Sequence, residues 1–243
     1  MKQAKNPLAA LDRSQLEAMR AAGADVLECR RVLLKGSLNV VGEMLRGQDA
    51  FVEFDHYPAD DVFDAETHAQ YYYHAHRGSE GEHGHFHTFL RAAGMPSGVA
   101  PADNLGIEPW PAGEEALSHL IAISMDAYGE PIGLFTVNRW VTGDTWYAAA
   151  GVIRMLDRFD IDHAHPSWPA NRWLGAMLRL FRPQIEALIL ARDEVVAAWA
   201  RRHPGQDVFE DRELEITSQL AISVEEQIAA VEAALGPTAR KGA

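Results

Sequence analysis

The chain reads as an α+β protein, a small antiparallel β-sheet of two hairpins packed by N- and C-terminal α-helices. Three observations predict this. Apolar residues recur at three- and four-residue steps near both ends of the chain. Between those stretches, from about residue 50 to 140, lies a region rich in Gly, Pro and aromatic residues. Within it, two pairs of strand-like segments are each joined by a glycine-bearing turn. The organisation that follows is one domain over 1–235, helical over 8–46, sheet-containing over 50–140 and helical again over 144–235. A tail over 236–243 is expected to fray.

The elements can be justified in order. Ser14-x-x-Glu17 fits a capping box and opens a first helix. From about Asp25 to Arg46, Val26, Leu27, Leu33, Leu34, Leu38, Val41 and Leu45 keep helical spacing. The first hairpin pairs Tyr71–His76 with His83–His87 across Arg77 to Glu82, a six-residue link with two glycines. The second pairs Ser118–Asp126 with Ile132–Trp140 across the turn 127–131. Residues 94–114, with four prolines and four glycines, read as a long loop, and such loops are often binding segments. Asp144 caps a helix running to about Arg158, and Pro169 suits the first turn of a long helix reaching Trp199. Pro183 kinks or splits that helix. A last helix carries Leu220, Val224, Ile228, Val231 and Leu235. The two final helices are expected to form an antiparallel pair, whose exposed stripe offers a homodimer contact.

Composition bounds the function. A chain of 243 residues with 47% apolar content can bury a full core. Its net charge of -13 argues against nucleic acid and anionic membrane surfaces, which call for a basic footprint. No apolar run approaches the roughly 20 residues that span a bilayer. The N-terminus has a basic start without an apolar stretch behind it, so it does not read as a secretory signal. Cys29 is the only cysteine, which excludes an intrachain disulfide or a thiolate-rich zinc knuckle. Beside arginines in a helix, it reads as a buried structural thiol rather than a nucleophile. The expected compartment is the cytoplasm.

The chemistry is concentrated in the first hairpin. His74 and His76 share one strand face, and so do His83, His85 and His87. If His76 lies opposite His83, then His74 faces His85 and Tyr72 faces His87. That register gathers every imidazole on one side and leaves Tyr71, Tyr73, Phe86 and Leu90 on a core side. A slip of one residue would mix His with Phe and Tyr on both faces, which a half-buried sheet disfavours. Opposed residues have Cβ atoms roughly 4.5–5.5 Å apart, close enough for rings to share an ion. His74, His76, His83, His85 and His87 are therefore the ligand pool for a divalent transition metal, Zn or Fe ahead of Cu or Ni. Glu80 or Glu82 from the loop would turn the set into two histidines and a carboxylate. Tyr72 is a further ligand or a proton donor on the same face. The plainer alternative is a hydrogen-bonded His/Tyr ladder with no ion.

In the second hairpin, pairing Asp126 with Ile132 puts Ser124, Thr136, Asn138 and Trp140 on one face, and Ile121, Ile123, Met125, Phe135 and Val137 on the core face. Matched to the first hairpin, Ser124, Thr136 and Asn138 join Tyr72 as a polar floor for a small-molecule substrate. His119 and Arg139 then fall at the rim of the apolar face. His163 and His165, in a Pro- and Trp-bearing loop, read as packing and capping residues; the sharper alternative is a distal ligand or acid/base closing over the hairpin. His56 and His68 receive no role.

Other signatures are missing: no phosphate-binding Gly-x-x-x-x-Gly-Lys, no dinucleotide fingerprint, no Gly-x-Ser-x-Gly elbow and no His-Glu-x-x-His. A cupin-like arrangement also places His-x-His on a strand, but its downstream Glu and second His motif do not line up here. The segments Tyr71–Arg77 and Glu82–His87, with a second block Phe135–Gly143, resemble an uncharacterised bacterial His-rich family with no established activity. The resemblance implies one intact domain and supplies no function. The residues themselves point to a metal-binding protein, in one form a metal-dependent oxygenase or hydrolase of a small molecule. The competing forms are a non-catalytic metal or small-ligand sensor and an interaction domain without metal.

Overall fold

The computed structural model describes residues 7–48, 50–75, 81–104, 106 and 108–236. It is an α+β fold in which one six-stranded antiparallel sheet carries helices from both ends of the chain on one of its faces. The strands are β1 Tyr57–Phe63, β2 Ala69–His74, β3 Gly84–Arg91, β4 Leu117–Met125, β5 Pro131–Val137 and β6 Ile216–Ala221. They lie side by side in chain order. Two of them extend the expected pair of hairpins. β1 contains Pro58, Asp60 and Asp61, which strand propensity disfavours but which an edge strand tolerates. β6 falls where helical spacing through Leu220 placed the start of the last helix; pairing with β5 overrides it. The fourth expected strand ends at Val137, because the Asn138 side chain accepts from the Arg139 N–H and opens the short helix α3, Arg139–Thr142.

The N-terminal helices also differ from expectation. Asp12, not Ser14, caps α1, and with Gln15 it closes a reciprocal capping box. α1 then runs unbroken over Arg13–Lys35 and stops at Gly36; α2, Val40–Leu45, restarts under an Asn39 cap. Towards the C-terminus come α4 Ala149–Met155, α5 Trp168–Leu180, α6 Arg182–Arg202 and α7 Val224–Leu235. Pro183 stands where α5 and α6 part, as its missing N–H requires. α7 packs on α1 rather than forming a pair with α6. Val231 joins Leu16 and Met19 in one cluster, whereas Leu220 of the expected stripe stays exposed on β6. Gly23 of α1 allows that approach: a Cβ there would lie 2.9 Å from Ile228 of α7.

The sheet has two unlike faces. Tyr71, Tyr73, Phe86, Ile121, Ile123 and Leu134 point to the helices and belong to the main core with Trp173, Leu174 and Ile189. Phe86 and Trp173 rings lie 6.1 Å apart, and the Tyr71 hydroxyl donates to Asn171 of α5 at 2.5 Å. The opposite face carries the histidines. No helix among the described residues is long and apolar enough to cross a membrane.

Candidate metal centre

β2 and β3 pair with His74 opposite His85 and Tyr72 opposite His87, the register that face composition selects. Extended through β4, β5 and β6, the same ladder defines two rows on the His-bearing face. One runs Tyr72, His87, Ala122, Phe135, Gln219; the next runs His74, His85, Ser124, Gly133, Ala221. Ala122 is only a methyl, so the rings of its two neighbours reach towards each other across β4. His87 and Phe135 centroids are 5.9 Å apart, although β3 and β5 are two strands apart, roughly 9.5 Å of backbone separation.

His74, His85 and His87 converge. One nitrogen of each lies within 4.8 Å of those of the other two, and all three side chains are buried. His74 Nε2 and His85 Nε2 are 2.9 Å apart. On its far side His85 Nδ1 meets Glu82 Oε1 at 2.8 Å. A carboxylate there accepts a hydrogen bond from Nδ1–H and leaves the Nε2 lone pair facing the cluster, the usual outer support of a metal-bound imidazole. Glu82 thus sits behind a histidine rather than among the converging nitrogens. His87 Nδ1 lies 3.0 Å from His119 Nε2; with Nδ1 as the donor of that pair, the Nε2 lone pair of His87 is left for a ligand.

His119 was expected at the rim of the apolar face. A bulge moves it: Thr88 pairs with Ile121, but Phe89 pairs with His119, so β4 holds one extra residue. An extra residue inverts the side on which every later side chain emerges. The bulge is held from outside the sheet, where Asp144 Oδ2 accepts the His119 N–H at 2.8 Å and Oδ1 accepts the Thr142 hydroxyl. Burial, then the Arg192 and His85 charges, push the His119 imidazole down to about 3, so the ring is neutral at ordinary pH.

His83 goes the other way. It precedes β3, its Nδ1 lies 2.7 Å from the Tyr73 hydroxyl, and its ring stacks on Phe51 at 4.9 Å. Gly84 makes this turn feasible, because a Cβ there would lie 2.5 Å from the Tyr73 hydroxyl and 2.6 Å from the His74 carbonyl oxygen. His76 and Glu80 lie outside the described residues. Tyr72 does stand on the histidine face, with its ring 5.3 Å from His87. Burial, with Asp61 and Asp144 charges, raises its phenol, so it keeps its proton and suits donation better than ligation.

The polar floor needs correction. Ser124 is on the histidine face, beside His85. Thr136 and Asn138 are not. The turn closes one residue earlier than expected, because the Asp126 carboxylate accepts from the Tyr128 and Glu130 N–H groups. Met125 then pairs with Pro131 and Ser124 with Gly133, leaving Ile132 as the extra residue. Phe135 moves to the histidine side. Thr136 turns to the helix side, where its hydroxyl meets Thr217 and Ser218, and Ser218 donates to the Leu188 carbonyl of α6. Asn138 caps α3 and donates to the Val208 carbonyl. His163 and His165 fill the plainer expectation: Asn171 donates to both carbonyls, and His163 Nε2 lies 3.2 Å from the Phe63 carbonyl.

One residue without an expected role reaches the site's edge. His56 stacks on Tyr72 with ring centroids 3.6 Å apart, and its Nδ1 meets Asp61 at 2.8 Å. Its position depends on β1, so no sequence spacing revealed it.

The fold and these side chains define a class: an α+β protein with a candidate three-histidine centre on one face of an antiparallel sheet. The chain belongs to the family described as a domain of unknown function (DUF6969), whose model matches residues 20–222. That span reaches from within α1 through β6 and includes every strand of the sheet. No curated protein and no solved structure matches the chain.

Proposed function

We propose that His74, His85 and His87 hold one divalent transition-metal ion, and that the chain is a metal-dependent enzyme acting on a small molecule. The observation that carries this is the convergence of three buried imidazole nitrogens within 4.8 Å of one another. Two supports agree with it. Glu82 and His119 occupy Nδ1 of His85 and His87, which orients both rings for ligation through Nε2. Three uncharged ligands would leave a bound ion its full positive charge and open positions, the arrangement suited to activating water or dioxygen. Ser124, next to His85 in the ladder, would orient the substrate, and the neutral Tyr72 phenol would donate a hydrogen bond.

The test is elemental analysis of untagged protein beside a His74→Ala/His85→Ala double variant. Near-stoichiometric metal that disappears in the variant is the expected result. Zinc would direct the search to hydrolytic chemistry, and iron to oxidative chemistry. Protein that carries no metal when purified without chelator, and takes up neither Zn²⁺ nor Fe²⁺, would overturn the proposal.

A further inference from the structure

The ladder row that contains the histidine pair changes character abruptly. His74 and His85 are followed, strand by strand, by Ser124, Gly133 and Ala221. Two imidazoles give way to a hydroxymethyl, a hydrogen and a methyl. The surface falls away beyond His85, and a depression of about 380 Å³ follows this row towards the β6 edge. Its lining includes Glu82, the carboxylate that meets His85, and Ser124, the ladder partner of His85, while the three buried histidines stand behind them.

We infer that this depression is the substrate trough of the histidine centre, and that it takes an uncharged, largely apolar small molecule with one hydrogen-bonding group directed at Ser124. The inference rests on reading the cluster as the reactive centre. Three observations carry it. Its volume lies within the roughly 300–1,000 Å³ of small-ligand sites. Its walls are mainly hydrocarbon, with Ile132, Phe135 and Ile216 in the lining beside the polar Gln219. Among the described residues that line it there is no Lys or Arg, and the one ionisable group is Glu82, engaged with His85. Along the trough itself an anion would lose hydration, meet the Glu82 carboxylate and gain no counter-charge from the described walls.

The open floor is not imposed by packing. A Cβ on Gly133 would lie 3.5 Å from Ser124 Cβ and Oγ, an ordinary contact, and Gly133 is not among the glycines with positive φ. A side chain at 133 would therefore project into the trough and fill it without backbone strain.

The experiment is a fluorescence titration of the full chain with N-phenyl-1-naphthylamine, a neutral apolar probe, before and after chelator treatment. Wild-type protein is expected to bind about one probe saturably, and Gly133→Val to weaken binding roughly tenfold or more with an unchanged melting temperature. Ala221→Leu, on the exposed edge strand, is the second variant, expected to weaken binding if Gly133→Val melts early. 1-Naphthol should displace the probe, whereas 1-naphthoate should not. Absence of saturable binding, unchanged affinity in both variants, or equal displacement by naphthoate would overturn the inference. Probe binding by protein that takes up no metal would keep the trough and remove the metal reading. Metal uptake without probe binding would do the reverse.

Discussion

Glu82 and His85 meet at 2.8 Å through a carboxylate oxygen and Nδ1, with side chains only 6% and 0% exposed. The contact joins neighbours three residues apart, across the turn into β3, so it forms once Gly84 has set the strand. It makes His85 the best-oriented imidazole of the three. Glu82→Gln keeps the shape but lets the amide present either an N–H or a C=O to Nδ1, so the tautomer is no longer dictated. Metal affinity, measured by chelator competition, should fall about 10–100-fold, as is usual for such outer partners. His119→Ala should lose a similar factor through His87, with His119→Gln restoring part of it. Unchanged affinity in both would remove the assigned orienting roles.

Gly84 should tolerate no side chain. A Cβ would sit 2.6 Å from the His74 carbonyl oxygen, which is backbone and cannot swing aside. Gly84→Ala must push β2 from β3 at the one point where His74 faces His85. We expect destabilisation on the order of 2–3 kcal/mol, seen as an earlier urea midpoint, together with loss of metal uptake. Wild-type stability in this variant would contradict the close approach.

Asp64 ties the β1–β2 turn to the loop before α5. Its Oδ1 accepts from the Glu66 and Thr67 N–H groups, and Oδ2 accepts from Asp162. Burial raises its carboxyl, but those three N–H bonds and the charge of His163 outweigh it, and the net shift is downward. A carboxyl lower in the folded than in the unfolded chain contributes stability above its unfolded value, near 3.9, and loses it as pH falls through the folded value. Thermal unfolding should therefore show a steeper fall for wild type than for Asp64→Asn as pH drops below about 4. At pH 7 the variant should be less stable by about 2 kcal/mol. Parallel pH profiles would show that the turn does not depend on the charge.

Some of this was legible from the residues in order. Strand alternation is a local property, so Tyr71 and Tyr73 opposing Tyr72 and His74 already selected the β2–β3 register and the core face. Pro183 marked the break between α5 and α6 because it lacks an N–H wherever it stands. The α+β class follows from the same local periods, and three of the five candidate ligands converge because of them.

What only the tertiary structure decided is which side chains change sides. His119 enters the histidine face because a bulge adds one residue to β4, and its N–H is held by Asp144, 25 residues further on. Phe135 replaces Thr136 on that face because the Asp126 carboxylate closes the turn early. His83 leaves it because Tyr73 and Phe51 take its ring before β3 begins. β1, β6 and the stacked His56 exist as they do because edge strands borrow their order from partners. A period of two can be read along a chain, but a single inserted residue inverts it, and the bonds that secure that residue come from elsewhere in the fold.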